Sequence, residues 1–572
     1  MDFQKLAELY EELEQTSSGN KMREILADFF KKVPEDNIAV ISYLTLGQIA
    51  SEYEGVVLGI AEKSALKAVA KAAGADELKV KKTMQETGDA GLTAEKLLQK
   101  KVQTLVPIGK LTVKELFEKL HKITKTSGTG SQEEKINILV NLLQKSSPQG
   151  AKYLIRIALG TLRMGAGDMT VLDALAIAYT GDKKNKEILE KAYNICPDVG
   201  IIAETLAKKG LKGIEKIDVH VGRPIKMMLA QRVDALEEVP EKIPGKLGIE
   251  AKYDGERMQV HKSKDSITIF SRRMENITEQ YPDVIKYLQE HVSGKDFVIE
   301  GEIVAIDKEG KPLHFQVLMQ RKRKTDIEEY VKKVPVQLKL FDLLYYNGKS
   351  FLHESYETRT EQLAKIATKG KHITLADRII TEDLEDVNKF FQKMLKEKQE
   401  GIMIKGMDSE YQAGTRGWNW IKWKKEYATE MTDTFDLVIV GAFHGKGKRS
   451  GTFGALLCAC YNEKDDAFET VTKLGTGLTD EMLEELPKKL KKYQVDHKPA
   501  RVVVSDIKPE VWFEPAVVVE VLAAEITKSP SHALGLALRF PRFIKLRDDK
   551  KAEQATTSKE IQQMYKEKLR IV

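Results

Sequence analysis

Cysteine is scarce in this chain of 572 residues, which contains only Cys196, Cys458 and Cys460. Three cysteines cannot form a four-cysteine zinc module or a disulfide framework, and so low a number is typical of a reducing compartment. The chain also lacks a run of about 20 apolar residues, and its first residues include acids where a secretory signal would need lysines. These absences exclude secreted, membrane-spanning and zinc-ribbon proteins and predict a cytoplasmic protein.

Several common phosphate and metal motifs are missing as well. The sequence contains no G-x-x-x-x-G-K-[ST] phosphate loop, no H-E-x-x-H pair and no Cys/His cluster with metal-ligand spacing. Ordinary ATPase, dehydrogenase and zinc-hydrolase functions are therefore disfavoured. The net charge of +6 permits a nucleic-acid partner but does not require one.

The pattern of apolar residues changes twice along the chain, which predicts three domains. Residues 1–215 have apolar residues three or four apart, as in Phe3, Leu6, Leu9, Tyr10 and Leu13, and are predicted to be all helical. Residues 216–426 alternate at period two between helical stretches, which predicts an α+β domain built on antiparallel sheets. Residues 427–572 contain short strands with the spacing of a small β-barrel, followed by a C-terminal helix.

The segment from Glu250 to Arg257 is the first candidate for catalysis. Alternation in a strand places Glu250 and Lys252 on one face, just before a tight Asp254-Gly255 turn. A lysine becomes a nucleophile when partial burial beside other cations lowers its pKa. The alternative is that Lys252 is a surface lysine on an edge strand and that Asp254-Gly255 is only a hairpin turn.

Later segments add residues that fit a nucleotide site, although each also has an ordinary explanation within a sheet. Glu300 and Glu302 share one strand face and suit ribose hydroxyls or a Mg²⁺ ion. Lys422 and Lys424 project together and form a clamp suited to phosphates. Phe341 is either a core residue or a ring that stacks on a base.

The order and spacing of these segments resemble those of the covalent nucleotidyltransferases, which include ATP-dependent DNA ligases, RNA ligases and mRNA capping enzymes. Lys252-Tyr253-Asp254-Gly255 resembles their nucleotide-attachment motif, and the other motifs follow in the order of the family. Those motifs are Ser271-Arg272-Arg273, Glu300-Gly301-Glu302, Leu340-Phe341-Asp342, residues 400–405 and residues 420–425. The segment 538–550 resembles the last motif of DNA ligases, and the match covers nearly the whole chain.

Within this superfamily, the chain is similar to DNA ligases of the archaeal and eukaryal replicative type. The resemblance implies a helical DNA-binding domain (1–215), an adenylation domain (216–426) and an OB-fold domain (427–572). It implies that Lys252 attacks ATP to form a lysyl-AMP, that AMP moves to the 5′-phosphate of a nick in duplex DNA, and that the 3′-hydroxyl displaces it. The nucleotide and a divalent ion, Mg²⁺ or Mn²⁺, are the implied cofactors.

The resemblance also implies a role for each matching residue. Glu250 would contact adenine, Phe341 would stack on it, and Arg257 and Glu302 would hold the ribose. Glu302 and Glu400 are the candidate metal ligands. The remaining candidates are Arg272, Arg416, Lys422 and Lys424 for phosphates, Arg539, Arg542 and Lys550 for the leaving pyrophosphate, and Arg163, Gly165 and Arg449 for DNA.

Nicked double-stranded DNA is the expected partner, bound by a monomer that does not associate with membranes. Archaeal relatives often dock on the sliding clamp through a glutamine followed by paired aromatics, but the comparable residues 103–106 have no aromatic. An RNA ligase or capping enzyme would explain Lys252 equally well, but not the helical residues 1–215. An NAD-dependent ligase would need a four-cysteine site, and a silent nick-binding scaffold would not need the lysine and glutamates.

Overall fold

The computed structural model describes residues 1–16, 18–99, 109–162, 166–233, 235–321, 327–424, 433–445 and 452–571. The chain divides into two compact units, Met1–Trp423 and Lys424–Val572. Within the described ranges, none of the helices combines the length and the apolar character that a bilayer crossing requires.

The described residues before position 215 are helical, as the apolar spacing predicts. Their α-helices are α1 (Phe3–Glu14), α2 (Gly19–Phe30), α3 (Glu35–Thr45), α4 (Glu62–Ala73), α5 (Glu77–Thr87), α6 (Ala90–Leu98), α7 (Val113–Lys125), α8 (Ser131–Lys145), α9 (Pro148–Ala158), α10 (Asp168–Thr180), α11 (Lys186–Ile195) and α12 (Val199–Ile214). The Asp2 side chain caps α1 by accepting a hydrogen bond from the Gln4 amide. The predicted stripe of α1 is buried along its whole length, and Tyr10 meets the Tyr153 ring of α9 at 5.3 Å.

The rest of the first unit contains two sheets. The strands of the first sheet are β1 (Leu229–Arg232), β2 (Leu247–Lys252), β9 (Arg378–Thr381), β10 (Gly401–Gly406) and β11 (Arg416–Lys424), in the order β1-β11-β10-β2-β9. Those of the second are β3 (Glu256–Ser263), β4 (Ser266–Ser271), β5 (Asp296–Ala305), β6 (Val336–Tyr346), β7 (Lys349–Ser350) and β8 (Ile373–Leu375), in the order β4-β3-β5-β6-β7, with β8 beside β6. The α-helices of this region are α13 (Val239–Lys242), α14 (Pro282–His291), α15 (Phe315–Leu318), α16 (Ile327–Lys333), α17 (Tyr356–Ile366) and α18 (Leu384–Lys396).

Strand β2, which carries Lys252, is an interior strand. It pairs antiparallel with β10 along its whole length and with β9 on its other side. The interpretation of Lys252 as a residue of an edge strand is therefore wrong. Most neighbouring strands are antiparallel, as expected, whereas β1 with β11 and β6 with β8 are parallel.

The second unit is built on a sheet of mostly antiparallel strands. The strands of that sheet are β12 (Asp433–His444), β13 (Phe453–Asn462), β14 (Ala467–Leu474), β15 (Gln494–Val495), β16 (Val502–Val503), β17 (Val511–Phe513), β18 (Val518–Ala523) and β21 (Arg542–Leu546). A separate pair of strands is formed by β19 (Glu525–Lys528) and β20 (Leu536–Arg539). Strand β12 contacts β13, β17 and β18, and irregular register between β12 and β13 allows it to bend across them. The helices α19 (Asp480–Leu490) and α20 (Ser558–Ile571) complete the unit.

Candidate active site

Lys252 is the last residue of β2, and it pairs across the sheet with Gly401, the first residue of β10. This register brings the Lys252 ammonium into contact with the carboxylate of Glu400. The side chains of Lys252 and Glu400 are 22% and 24% exposed, so both can be reached by a ligand. The pair places an amine and a carboxylate together at the open end of a buried strand.

The turn after Lys252 is held by contacts on both sides. A Cβ atom at Gly255 would lie 2.3 Å from the carbonyl oxygen of Ile303 in β5, so a side chain has no room there. The Tyr253 hydroxyl donates to Asp377 at 2.9 Å, and Asp254 accepts the Phe315 amide at 3.0 Å. The Asp-Gly pair is thus more than a hairpin turn, because it fixes where β2 leaves the sheet.

A group of cations that includes Lys252 lies around Lys422 and is called here the cationic cluster. Burial lowers the pKa of Lys422, and the neighbouring charges lower it further. Those neighbours are Arg416, Lys252, Arg272 and Arg232, which with Lys422 make up the cluster. Arg232 is opposite Lys422 in the parallel β1–β11 pair. Lys422 and the four cations within electrostatic range of it form a site suited to a polyanion such as a triphosphate.

Glu302 lies on the same side of the site as Lys252. Burial raises the pKa of its carboxyl to about 7, although the charges of Lys252 and Arg257 oppose that effect. Asp254 and Glu256 raise the pKa further, because their negative charges disfavour another carboxylate nearby. A bound cation, or a ligand hydroxyl that donates a hydrogen bond, would offset the repulsion among these carboxylates.

Phe341 belongs to a wall of aromatic rings and is not simply a core residue. It is partly exposed, and its ring meets that of Trp420 edge-on, with centroids 6.3 Å apart. The Arg257 guanidinium lies 5.4 Å from the Phe341 ring and 5.2 Å from the Trp420 ring. The ammonium of Lys405 lies 4.5 Å and 4.3 Å from the same two rings. A flat, partly open ring beside cations is suited to stacking on a nucleobase.

Glu250 is buried at the base of this wall, where its carboxylate is surrounded by donors. Lys405 donates to it at 2.6 Å and the Tyr356 hydroxyl donates to its other oxygen. Arg378 lies 4.0 Å away. Burial lowers the pKa of Lys405, while the Glu250 carboxylate opposes that change. The Glu250 carboxylate is therefore held in one orientation.

Arg257 is also held firmly. One end of its guanidinium donates to Glu300 at 2.8 Å and the other to the carbonyl oxygen of Met228 at 2.7 Å. Burial acts to lower the pKa of the Arg257 guanidinium, but the charges and hydrogen bond of its neighbours, Glu300 first among them, together raise it above its ordinary value. Glu300 is fully buried, so of the predicted glutamate pair only Glu302 remains partly exposed.

The other predicted residues lie at the end of β11, in the second unit or outside the described residues. Lys424 ends β11, while Arg539 and Arg542 are exposed on β20 and β21 of the second unit. Lys550 donates to Asp436 at 2.6 Å within that unit. The predicted residues Arg163, Gly165 and Arg449, and the segment 103–106, lie outside the described residues.

Several residues of the site were not predicted. Trp420 completes the aromatic wall, Tyr356 and Arg378 surround Glu250, and Arg232 joins the cationic cluster. A tryptophan or tyrosine in a strand or helix normally indicates core packing, so their types alone carry no signal. Arg232 reaches the site through the parallel pairing of β1 with β11, and no pattern in the sequence predicts that pairing.

A divalent ion such as Mg²⁺ is bound in proteins through oxygen ligands. Within the described residues there is no group of three or more His, Cys, Asp or Glu side chains able to hold a metal ion alone. Glu302 and Glu400 both lie beside Lys252, and Mg²⁺ is commonly bound by one or two carboxylates together with substrate phosphates. The site therefore fits an ion that arrives with a nucleotide.

Models of protein families match this chain in three places. The model described as DNA ligase N terminus matches residues 2–176. The ATP dependent DNA ligase domain matches residues 227–424, which include every residue described above around Lys252. The ATP dependent DNA ligase C terminal region matches residues 449–550.

Individual proteins are similar over nearly the full length. The chain is 47% identical to DNA ligase 2 of Thermofilum pendens, with 98% of this chain and 96% of that protein covered. It is 44% identical to DNA ligase 1 of Methanosarcina acetivorans, with 98% and 99% covered. A solved structure named "Pmar-Lig_PreS3" matches with a TM-score of 0.56 at 18% identity, covering 95% of this chain and 99% of that one, which supports the fold alone.

Proposed function

Since this chain belongs to the ATP-dependent DNA ligases, which join the 3′-hydroxyl and 5′-phosphate at a nick, we propose that Lys252 carries AMP in that reaction. The observation that supports this role most directly is the position of its amine. Lys252 ends an interior strand, contacts Glu400 and lies within the cationic cluster, where a triphosphate would be held.

The reaction proceeds in three phosphoryl transfers. The Lys252 amine, after losing a proton to the contacting Glu400 carboxylate, bonds to the α-phosphorus of ATP, and the bond to pyrophosphate breaks. A 5′-phosphate oxygen of the nick then bonds to the phosphorus of AMP, and the lysine–phosphorus bond breaks as the amine takes back the proton from Glu400. Finally the 3′-hydroxyl oxygen bonds to the 5′-phosphorus and gives up its proton to solvent, and the bond from that phosphorus to AMP breaks, so that AMP leaves. Such transfers depend mainly on positioning and charge neutralisation, which the cationic cluster and the fixed β2 turn provide.

The proposed role of each side chain follows its surroundings. Glu250, held by Lys405 and Tyr356, recognises adenine, and Phe341 stacks on it. Arg257 and Glu302 hold the ribose. The phosphates are bound by Arg272, Arg416, Lys422 and Lys424, and the pyrophosphate is oriented by Arg539, Arg542 and Lys550.

A divalent ion, Mg²⁺ or Mn²⁺, would be held by Glu302 and Glu400 together with the phosphates. When bound it would neutralise charge on the phosphoryl oxygens. The shared position of both glutamates beside Lys252 supports this assignment.

The parts outside the adenylation region are proposed to grip DNA. The helical region 1–215 and an OB-fold formed by residues 427–572 would contact the duplex around a nick, with a single chain bound to each nick. The bent, mostly antiparallel strands of the second unit support the OB-fold assignment.

The test is to incubate the protein with α-labelled ATP and Mg²⁺, and then to add nicked duplex DNA. We expect the wild type to acquire label on Lys252, as located by mass spectrometry, and to pass it to the DNA before sealing. Lys252→Ala should take up no label. Lys252→Arg is the matched control for charge, because it retains a cation but cannot form the adenylate, and it should also remain unlabelled. Label on another side chain, or sealing by Lys252→Ala, would contradict the proposal.

A further inference from the structure

The connector that leads from the helical region into β1 (residues 222–228) is held along one face of β3. Side chains of alternate β3 residues reach its backbone at every third position, so the two segments run in opposite directions. The contacts are Gly222 N to His261 Nδ1 at 3.0 Å, Ile225 N to Gln259 Oε1 at 2.8 Å, and Arg257 Nη1 to Met228 O at 2.7 Å. The connector is thus attached to the strand that carries Arg257.

Gln259 is the central residue of this arrangement and is fully buried. Its carbonyl oxygen accepts the Ile225 amide, while its amide nitrogen donates to the Ile225 carbonyl at 3.2 Å and to Glu300 Oε1 at 3.1 Å. His261 donates a fourth bond from Nε2 to the Gln259 carbonyl oxygen at 2.8 Å, since its Nδ1 accepts from Gly222. The orientation of the Gln259 amide is therefore fixed from three sides.

Glu300 transmits this orientation to the nucleotide site. One of its oxygens accepts from Gln259 and from the Tyr411 hydroxyl at 3.0 Å, and the other accepts from Arg257 at 2.8 Å. The Tyr411 hydroxyl in turn accepts the Met228 amide at 2.9 Å. Two independent hydrogen-bond paths therefore connect the connector backbone with the carboxylate that faces Arg257.

Arg257 retains hydrogen-bond donors for a ligand, because a guanidinium carries five N–H groups and the bonds to Met228 and Glu300 use only two of them. Both terminal nitrogens of its guanidinium are engaged, by Met228 and Glu300, but its buried Nε has no hydrogen-bond acceptor among the described residues. An unpaired buried N–H is costly, so this donor is suited to a partner that the protein itself does not supply, such as a water or a ligand oxygen. The rings of Phe341 and Trp420 lie against the same guanidinium, which places this donor in the proposed nucleotide pocket.

We propose that Gln259 is a positioning residue for Arg257: through Glu300 and the connector backbone, it orients the guanidinium so that the free Nε donor meets the ribose of ATP. The inference rests on the proposed ribose contact of Arg257. In this arrangement the connector forms part of the nucleotide site and not merely a tether between regions.

The experiment measures ribose discrimination in the first step. The rate of label uptake is measured with ATP and with 2′,3′-dideoxy-ATP, and the ratio of the two kcat/KM values is compared between variants. We expect Gln259→Leu to reduce the preference for ATP by about tenfold, chiefly through KM for ATP, because one hydrogen bond to a hydroxyl is lost. Both rates come from the same preparation, so an inactive fraction cancels in the ratio.

A second variant and a matched control complete the design. Tyr411→Phe keeps the ring but removes the hydroxyl from the other path to Glu300, and should reduce the preference in the same way. Gln337→Leu makes the same substitution in β6 of the same sheet, where the glutamine only approaches the Lys371 carbonyl at 3.5 Å, and should keep the wild-type ratio.

Arg257→Leu separates the possible failures. If it loses the preference while Gln259→Leu and Tyr411→Phe lower both rates equally and keep the ratio, the network is only structural and the inference is overturned alone. If Arg257→Leu itself keeps the preference, the ribose contact and the inference both fail. Loss in all three variants, with no further loss in the Arg257→Leu/Gln259→Leu double variant, supports the inference.

Discussion

Among single residues, position 255 must be a glycine because the chain there passes close to the backbone of β5. We expect Gly255→Ala to reduce the free energy of unfolding by about 1–3 kcal/mol, because the added Cβ would meet the rigid Ile303 carbonyl of β5 and force the backbone to move. The same shift would displace Lys252 and slow its reaction with ATP. Chemical denaturation and label uptake measure the two effects.

Gly109→Ala is the appropriate control for that substitution. A Cβ atom at Gly109 would meet nothing within 4 Å, so the variant should unfold and react as the wild type does. Equal behaviour of the two alanine variants would show that the contact of Gly255 with β5 does not matter.

The site residues that the sequence predicted are those that belong to a short motif with a recognisable pattern. Lys252 and Glu400 were proposed from their own motifs, and the structure brings them into contact. Tyr356 could not be found in this way, since its hydroxyl reaches Glu250 across 106 positions of sequence. The roles of all these residues remain predictions until the experiments above are made.

Between elements, a buried ion pair joins α17 to β6. Arg359 donates to both oxygens of Asp342 at 2.7 and 3.1 Å, and both side chains are fully buried. We expect Arg359→Met to destabilise the protein by about 3–5 kcal/mol, because it leaves the Asp342 carboxylate buried without its cation. Thermal or denaturant unfolding measures the loss.

The double variant Arg359→Met/Asp342→Leu tests that explanation. Removing both charges should recover much of the lost stability, because no unpaired charge remains in the interior. If the double variant were less stable than Arg359→Met, packing of the arginine and not its charge would be the dominant effect.

Elements were predictable where contacts are local in sequence. The predicted apolar stripe of α1 is confirmed, and it was predictable because helical periodicity depends only on residues a few positions apart. Parallel pairing of β1 with β11 joins segments nearly two hundred residues apart, and no local pattern encodes its direction. The division into domains 1–215, 216–426 and 427–572 remains a prediction. The structure itself divides into two compact units.

For the whole molecule, we expect binding to nicked duplex DNA to depend strongly on salt and little on base sequence. Contacts to phosphates release counterions, so a plot of log Kd against log salt concentration should have a slope of magnitude above about 3. Fluorescence anisotropy with two nicked duplexes of unrelated sequence measures both properties. An affinity that hardly changes between low and moderate salt, or that differs greatly between the duplexes, would contradict binding that recognises the DNA backbone and not its base sequence.

The burial of Cys196, Cys458 and Cys460 has a practical consequence. Each is fully enclosed, and burial raises the pKa of the Cys196 thiol to about 11 and of the other two to about 12. Thiolates are the species that maleimides attack, so the folded enzyme should resist such reagents. One cysteine introduced on the surface would then carry a dye at a single chosen point, and distances could be followed by energy transfer without first replacing the natural thiols.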